Sequence, residues 1–416
     1  MKKILITLVA AIAATSLCAR KVVHDGLTYN LNAKAQTATL VPNRGNYRGD
    51  IVVPDTMRID SVLYSVEEVA AAAFEGNTAL TSVVLPNTVR RIGNAAFRGC
   101  TSLRSITLPS GLQDIPNALF ERCTSLAYIE LPQHVRRFGV GVFRDCSSLA
   151  SVDFPMVEEV PAETFLRCRS LEQVELPTSV VVIRRNAFTD CTALASISLP
   201  MVREIGPEAF SDCQSLVAID LPSSLDRIEN SVFEDCRSLR HVRFPSSLKR
   251  IGNKAFEGCT SLQQADLPES VAQLGTSAFE DCSAMTSLNL PSGLKVVPAG
   301  AFSGCSSLRE VNLPASVQSV GNEAFENCNS LHRLNLPSSI KSLGAKAFEG
   351  CSNLRDIYVS STFPAKLKKN SFSKDTQRVG TLHVYPHSVD AYRLDKSWSK
   401  FYNIVEYTRG EMERGR

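Results

Sequence analysis

Thirteen phenylalanines recur at one spacing: Phe74, Phe97, Phe120, Phe143, Phe165, Phe188, Phe210, Phe233, Phe256, Phe279, Phe302, Phe325 and Phe348. The steps are 23 residues, apart from two of 22 that end at Phe165 and Phe210. Both short steps lose a residue at the same place. They read Pro155-Met156-Val157 and Pro200-Met201-Val202 where other copies read like Pro222-Ser223-Ser224-Leu225. Self-similarity at this period describes a stack of small units, not a globule with one central core.

One unit begins Cys100-Thr101-Ser102-Leu103-Arg104-Ser105-Ile106-Thr107-Leu108-Pro109 and continues through Leu112 and Ile115 to Phe120. Ile106 and Leu108 alternate with Ser105 and Thr107, which is the period of a short strand, and the proline ends it because it has no N–H to donate. The second half, as in Leu248 to Phe256, holds another short apolar pair, often followed by Gly or Pro (Gly93, Pro116, Gly252, Gly275, Gly321). Neither half is long enough for a stable helix. One copy buries too little apolar surface to offset the ordering of its own backbone, so neighbours must complete its core and its strand bonds. Thirteen copies at the ~4.8 Å strand spacing predict a solenoid roughly 60 Å long.

The chain opens on Lys2-Lys3, an apolar run from Ile4 to Ala14, and small residues up to Ala19. This is the pattern of a secretory signal peptide over residues 1–19. Cys18 raises the question of lipidation, but Leu17 stands where a lipobox wants a small residue, so simple cleavage is expected. No later segment has the ~18 consecutive apolar residues of a membrane span. Lys+Arg 45 against Asp+Glu 42 is too balanced for a protein driven onto nucleic acid by phosphate contacts. The oligomeric state is left open.

Every cysteine after Cys18 falls three residues past a column phenylalanine: Cys100, Cys123, Cys146, Cys168, Cys191, Cys213, Cys236, Cys259, Cys282, Cys305, Cys328 and Cys351. An exported chain this rich in cysteine would ordinarily suggest disulfides. Stacked equivalents, however, point in parallel about 4.8 Å apart, whereas bridged Cβ atoms want about 3.8 Å. In the first copy Asn77 takes the place. Asn bonds a buried turn but forms no bridge, so the column reads as small buried hydrogen-bonding residues. Spacings of 22–23 without Cys-x-x-Cys also lack the local pairs of zinc sites.

The run from Leu308 through Phe325 to Ser330, L-x-x-V-x-L-P-x-S-V-x-x-V-G-x-x-A-F-x-x-C-x-S, resembles the BspA-like (Treponema-type) leucine-rich repeat. The flanks are similar to that family as well: Gly26-Leu27-Thr28-Tyr29 and Tyr47 to Pro54 before the array, and Leu382-His383-Val384, Tyr392, Trp398, Phe401 and Ile404 after it. The resemblance implies a curved leucine-rich repeat solenoid with an N-terminal cap over 20–72, an array over 73–359 and a C-terminal cap over 360–416. It further implies a secreted or cell-surface bacterial protein, some members of the family acting as adhesins for host matrix proteins. The caps would shield the open ends of the stack.

The polar strand positions form two outward columns on a face expected to be concave. One runs Ser82, Ser105, Tyr128, Ser151, Gln173, Ser196, Ala218, His241, Gln264, Ser287, Glu310, Arg333 and Asp356. The other runs Val84, Thr107, Glu130, Asp153, Glu175, Ser198, Asp220, Arg243, Asp266, Asn289, Asn312, Asn335 and Tyr358. Its acidic middle followed by an Asn ladder points to a basic partner or a cation, because like charges on adjacent strands repel and are costly to keep. The candidate contacts are Tyr128, Glu130, Asp153, Glu175, Asp220, His241, Arg243, Asp266, Asn289, Asn312 and Asn335. A second hypothesis gives Asn289, Asn312, Asn335 and Tyr358 to a glycan.

Other motifs carry less. Arg90-Arg91, Arg136-Arg137, Arg184-Arg185 and Lys249-Arg250, set among Glu121, Asp145, Asp190 and Glu257, read as a solvated convex face. Arg48-Gly49-Asp50 spells an integrin-recognition tripeptide, but Gly49 has a structural use as a turn before Ile51-Val52-Val53. No nucleophile-elbow, HExxH, phosphate-loop or dinucleotide motif stands in the chain, and its six histidines are scattered. Glu130, Asp153 and Glu175 offer carboxylates for glycoside hydrolysis, yet a uniform stack gives no deep pocket to separate their pKa values. The sequence therefore predicts no enzyme, no cofactor and no metal site, but a protein or glycan binder.

Overall fold

The computed structural model describes residues 20–43 and 47–407. The expected signal segment and Cys18 lie outside the described residues. Strands β1 (Arg20–His24), β2 (Leu27–Asn32), β3 (Thr37–Leu40), β4 (Gly49–Val52), β5 (Thr56–Ile59) and β6 (Val62–Val69) open the fold. Five of them form a sheet in the order β1-β2-β3-β6-β5. The β1–β2 hairpin turns on Asp25 and Gly26, both at positive φ, which suits the twist of a two-residue hairpin. β4 leaves this sheet and pairs in parallel with Leu80–Val84, so the N-terminal flank supplies the first rung of the stack.

From there each copy makes one coil with two short parallel strands. The first ladder joins Ser82 to Ser105, Tyr128 to Ser151, Gln173 to Ser196, Ala218 to His241, and Gln264 to Ser287. Bonds such as Glu172 N–H to Ala150 O (3.2 Å) and Val217 N–H to Ala195 O (3.3 Å) keep successive groups aligned. The second ladder runs from Arg91–Ile92 to Lys366–Leu367, with Glu159, Val182 and Glu204 in register across a 22-residue step. The residue missing from the short copies is absorbed in the turn, where Val157 N–H bonds Pro155 O at 2.8 Å.

The corner around each phenylalanine holds the coils together. Ala118 and Arg122, flanking Phe120, have φ of 54° and 61°. This left-handed geometry aims alternate N–H groups along the stack. Ala118, Phe120 and Arg122 donate to Val140 O, Val142 O and Arg144 O at 2.9, 2.9 and 2.7 Å. The same pair of left-handed positions recurs from Ala72 and Gly76 to Lys346 and Gly350. Each non-glycine residue there costs about 1 kcal/mol or more, offset by bonds that only a neighbouring coil supplies. The rings stack with centroids 4.9–5.7 Å apart. They are fully buried and fall within the offset-stacking range.

All twelve described cysteines are free and buried. Each thiol donates to the carbonyl of the phenylalanine one coil earlier, at 3.0–3.3 Å. At the first coil Asn77 takes the cysteine's place in the opposite role, its Oδ1 accepting from Tyr47 N–H at 2.9 Å. Burial pushes the Cys100 thiol up to about 12, and those of Cys146, Cys191 and Cys305 higher still.

The ends are closed by aromatic residues. Tyr47 tilts onto Phe74 at 5.0 Å, its hydroxyl donating to Val41 O. At the other end the stack continues beyond Phe348 to Phe372 at 5.3 Å, and the first ladder continues through Thr381–Val384 to Asn403–Glu406. Phe401 meets Phe372 edge-on at 5.3 Å, while Trp398 Nε1 donates to Ala365 O at 2.7 Å. Helices α1 (Lys374–Val379) and α2 (Val389–Leu394) complete this end. Among the described residues no helix is long and apolar enough to cross a membrane.

The thiol column is directly testable on a chain beginning at Arg20. We expect a small thiol reagent to modify none of the twelve cysteines in the folded protein and all twelve once urea unfolds it, without prior reduction. A shortfall in the unfolded count would reveal disulfides that the ladder excludes.

Candidate functional site on the outward face of the first ladder

Strand alternation places the inner residues of the first ladder in the core, as with Ile129 and Val152, and turns the two predicted columns outward. All eleven predicted contact residues lie on this outward side; Asn335 is half-buried and the others are exposed. The structure also adds rungs that the repeat pattern did not include. β4 brings Asp50 beside Ser82 and Val52 beside Val84, while His383 and Val405 follow Tyr358. Their signal was the same period-two alternation in Asp50-Ile51-Val52 and Leu382-His383-Val384, without the phenylalanine that marks a copy.

The face changes character along its length. Val52 and Val84 make an apolar start, 71% and 41% exposed. Glu130, Asp153 and Glu175 then follow one another on successive coils. The Tyr128 hydroxyl donates to Asp153 Oδ2 at 3.1 Å, and that bond raises the phenol pKa above its ordinary value. Glu130 and Glu175 have neither a hydrogen bond nor an ion pair among the described residues. Farther on, Arg243 Nε lies 3.6 Å from Asp220 Oδ1, both side chains being at least 75% exposed, so this pair contributes little. Asp266 accepts from Gln264 and from Asn289, at 3.0 and 2.6 Å. His241 stands beside them without a partner among the described residues.

The acidic residues border open grooves and not an enclosed pocket. One, of about 450 Å³, is lined by Thr107, Glu130, Gln133 and His134. Another, of about 420 Å³, is lined by Ser151, Asp153, Gln173 and Glu175. Among the described residues no three His, Cys, Asp or Glu side chains converge as metal ligands.

The Asn ladder and Tyr358 are largely engaged with each other and with their neighbours. Asn335 Nδ2 donates to Asn312 Oδ1. The Tyr358 ring stacks on His383 at 4.3 Å, and Arg333 lies over it at 4.6 Å. These partners come from the coils on either side, so both ring faces are covered. His383 Nε2 is also 3.0 Å from Asp356 Oδ1. Sugar stacking on Tyr358 would have to displace one of these partners.

Two other sequence motifs have partners that the sequence did not specify. Asp50 of the integrin-type tripeptide accepts from Thr81 and Ser82 hydroxyls at 2.7 and 2.6 Å, which lowers its pKa and ties it to the sheet. The arginine pairs are not neutralised by Glu121, Asp145, Asp190 and Glu257. Those corner carboxylates pair with Arg144, Arg167, Arg169 and Lys254. Arg91, Arg137 and Arg184 instead meet Glu68, Asp114 and Glu159 near their own ladder.

A family model described as BspA type leucine-rich repeat region, six copies, matches residues 67–194, 158–286 and 274–389. The fold is similar to a leucine-rich repeat protein from Bacteroides ovatus, at 26% identity and TM-score 0.71, over 87% of this chain and 99% of that one. It is also similar to a leucine-rich cell surface protein from Faecalibacterium prausnitzii, at 27% identity and TM-score 0.56, over 82% and 95%. The pneumococcal vaccine antigen PcpA shares the fold at 20% identity and TM-score 0.51, over 94% and 99%. No curated protein matches the chain.

If the carboxylate row is retained at a cost, neutralising it should stabilise the fold. The triple variant Glu130→Gln, Asp153→Asn, Glu175→Gln is expected to gain a few tenths to about 1 kcal/mol at low salt, with the gain fading at high salt. Thermal melting across ionic strength reads this; a loss of stability would show that the row serves the fold.

Proposed function

We propose that this chain, which belongs to the BspA-type leucine-rich repeat family, is an exported, non-catalytic binding protein that holds a basic protein surface on its first ladder. The observation that carries the reading is the row Glu130–Asp153–Glu175. These carboxylates face solvent on adjacent coils, and no cation neutralises them among the described residues. A partner that brings lysines and arginines relieves their repulsion on docking, which couples binding to charge. Asp220 and Asp266 extend the contact, with Tyr128 as an aromatic contact at its edge.

Open grooves beside the carboxylates support a binding role over hydrolysis, since hydrolysis needs one carboxyl held protonated in an enclosing site. The mutual bonding of the Asn ladder and the covered Tyr358 ring favour a protein partner over a sugar. A signal peptide over 1–19 would deliver the chain to the cell surface or medium, where an adhesin-like role fits.

The test is binding of the mature chain to immobilised fibronectin, fibrinogen and a glycan panel, beside a variant carrying Glu130→Ser, Asp153→Ser, Glu175→Ser and Asp220→Ser. We expect saturable binding to a protein ligand, weakened at least about tenfold in the variant and falling steeply with salt. Binding unchanged by the variant and by salt would remove the site from this face.

A further inference from the structure

The second ladder has two electrostatic halves. In its first half carboxylates are interspersed with the outward cations: Arg90, Arg136, Arg185 and Arg203 have no ion pair among the described residues, but four other arginines are matched. Arg91 lies 3.6 Å from Glu68, and Arg137 holds Asp114 through bonds of 2.7 and 2.8 Å. Arg184 is 2.8 Å from Glu159, and Arg227 is 3.1 Å from Asp226. Beyond Glu229 the carboxylates stop. The strand positions of the next coils are Lys249-Arg250, Ala272-Gln273, Lys295-Val296, Gln318-Ser319, Lys341-Ser342 and Ala365-Lys366, followed by Lys368 and Lys369. The cations of this stretch are all exposed.

None of them has an ion pair among the described residues; Lys341 Nζ donates only to the neutral Gln318 side chain, at 2.9 Å. Corner lysines of the same coils behave differently. Lys254 pairs with Glu234 and Glu257, and Lys346 with Glu323 and Glu326. What sets the stripe apart is that no carboxylate stands among its strand positions, whereas Glu68, Asp114, Glu158, Glu159, Glu204 and Asp226 are interspersed with the cations of the first half.

Its spacing is regular. Backbone bonds link Lys249 to Ala272, Lys295 to Gln318, and Gln318 to Lys341, so Lys249, Lys295 and Lys341 share one column two coils apart, roughly 10 Å at ordinary strand spacing. Arg250 and Lys366 stand in the adjoining column. An open groove of about 520 Å³ runs beside them, lined by Arg250, Asn253, Gln273, Lys295 and Val296.

From this juxtaposition we infer that the stripe from Lys249 to Lys368 docks a linear anionic polysaccharide, a polymer whose sulfates or carboxylates recur along one line as the lysines do. Flexible ammonium groups suit such a ligand, because each meets an anion as a point charge without demanding one orientation. The uncharged Asn253 and Gln273 in the groove add donors and acceptors for sugar hydroxyls. A narrow row fits a polymer strand better than a flat anionic membrane, which engages a broad patch. This site is on a different ladder from the protein-binding face and stands independently of it.

The probe is immobilised heparin, a linear sulfated polysaccharide, with the mature chain titrated across NaCl concentrations. One variant carries Lys249→Gln, Lys295→Gln, Lys341→Gln and Lys366→Gln. A second removes the same number of charges from the paired arginines of the first half: Arg91→Gln, Arg137→Gln, Arg184→Gln and Arg227→Gln. We expect the parent to bind at physiological salt. The lysine variant should lose at least about tenfold in affinity, and its log–log salt slope should be shallower by about three. The arginine variant should stay within about threefold. All substituted positions are exposed, and melting curves for each variant verify folding. Equal losses in the two variants would reduce the effect to net charge and overturn the inference. So would no retention of the parent, or tighter binding to anionic phospholipid vesicles or duplex DNA than to heparin.

Discussion

The structure depends on one arrangement of backbone hydrogen bonds, at the corner that carries each phenylalanine. There the left-handed residues two before and two after the ring aim alternate N–H groups at the next coil, while the cysteine thiol reaches back to the previous one. Few of these bonds can be satisfied within a single copy. Stability is therefore a property of contacts between neighbours, and the chain has a stack in place of a central core. The same logic makes the ends special. The first coil has no earlier phenylalanine carbonyl, so Asn77 and Tyr47 bond one another there, and at the far end Phe401 and Trp398 cover the last ring.

Because the inward columns are fixed by this stacking, the differences between coils are carried by the outward columns. Each coil contributes a few exposed positions to the first ladder and two to the second. Charge then accumulates by column. The first ladder gathers carboxylates over its middle coils, while the second gathers unmatched lysines over its last ones. A protein of nearly balanced total charge thereby presents two surfaces of opposite sign, which net charge alone conceals.

Much of this was legible in the sequence, for a physical reason. A stack repeats its environment at every coil, so the same side chain solves the same problem each time, and Phe, Cys and the alternating strand residues appear as columns. Asn77 in the cysteine column was informative because one substitution told hydrogen bonding apart from bridging. What escaped the pattern were the ends and the pairings. Phe372 follows Phe348 after 24 residues without the usual Leu-Pro, and β4 and the strand at His383 belong to the face without belonging to a copy. The covering of Tyr358 by Arg333 and His383 depends on which coils are adjacent and on side-chain reach. The division of the second ladder was equally hidden, because Arg137 and Lys295 look alike until their neighbours are placed.

The central claim is that fold information resides in the period and not in any particular copy. Removing one whole period, residues 234–256, joins Phe233 to Glu257 and leaves every inward column in register. Urea unfolding of that variant, beside one lacking only residues 234–245, tests the claim most directly. The account predicts a cooperative transition near that of the parent for the full-period deletion, and loss of the folded baseline or a large destabilisation for the half-period deletion. Similar destabilisation by both would contradict it, since it would mean that individual copies and not their period hold the solenoid together.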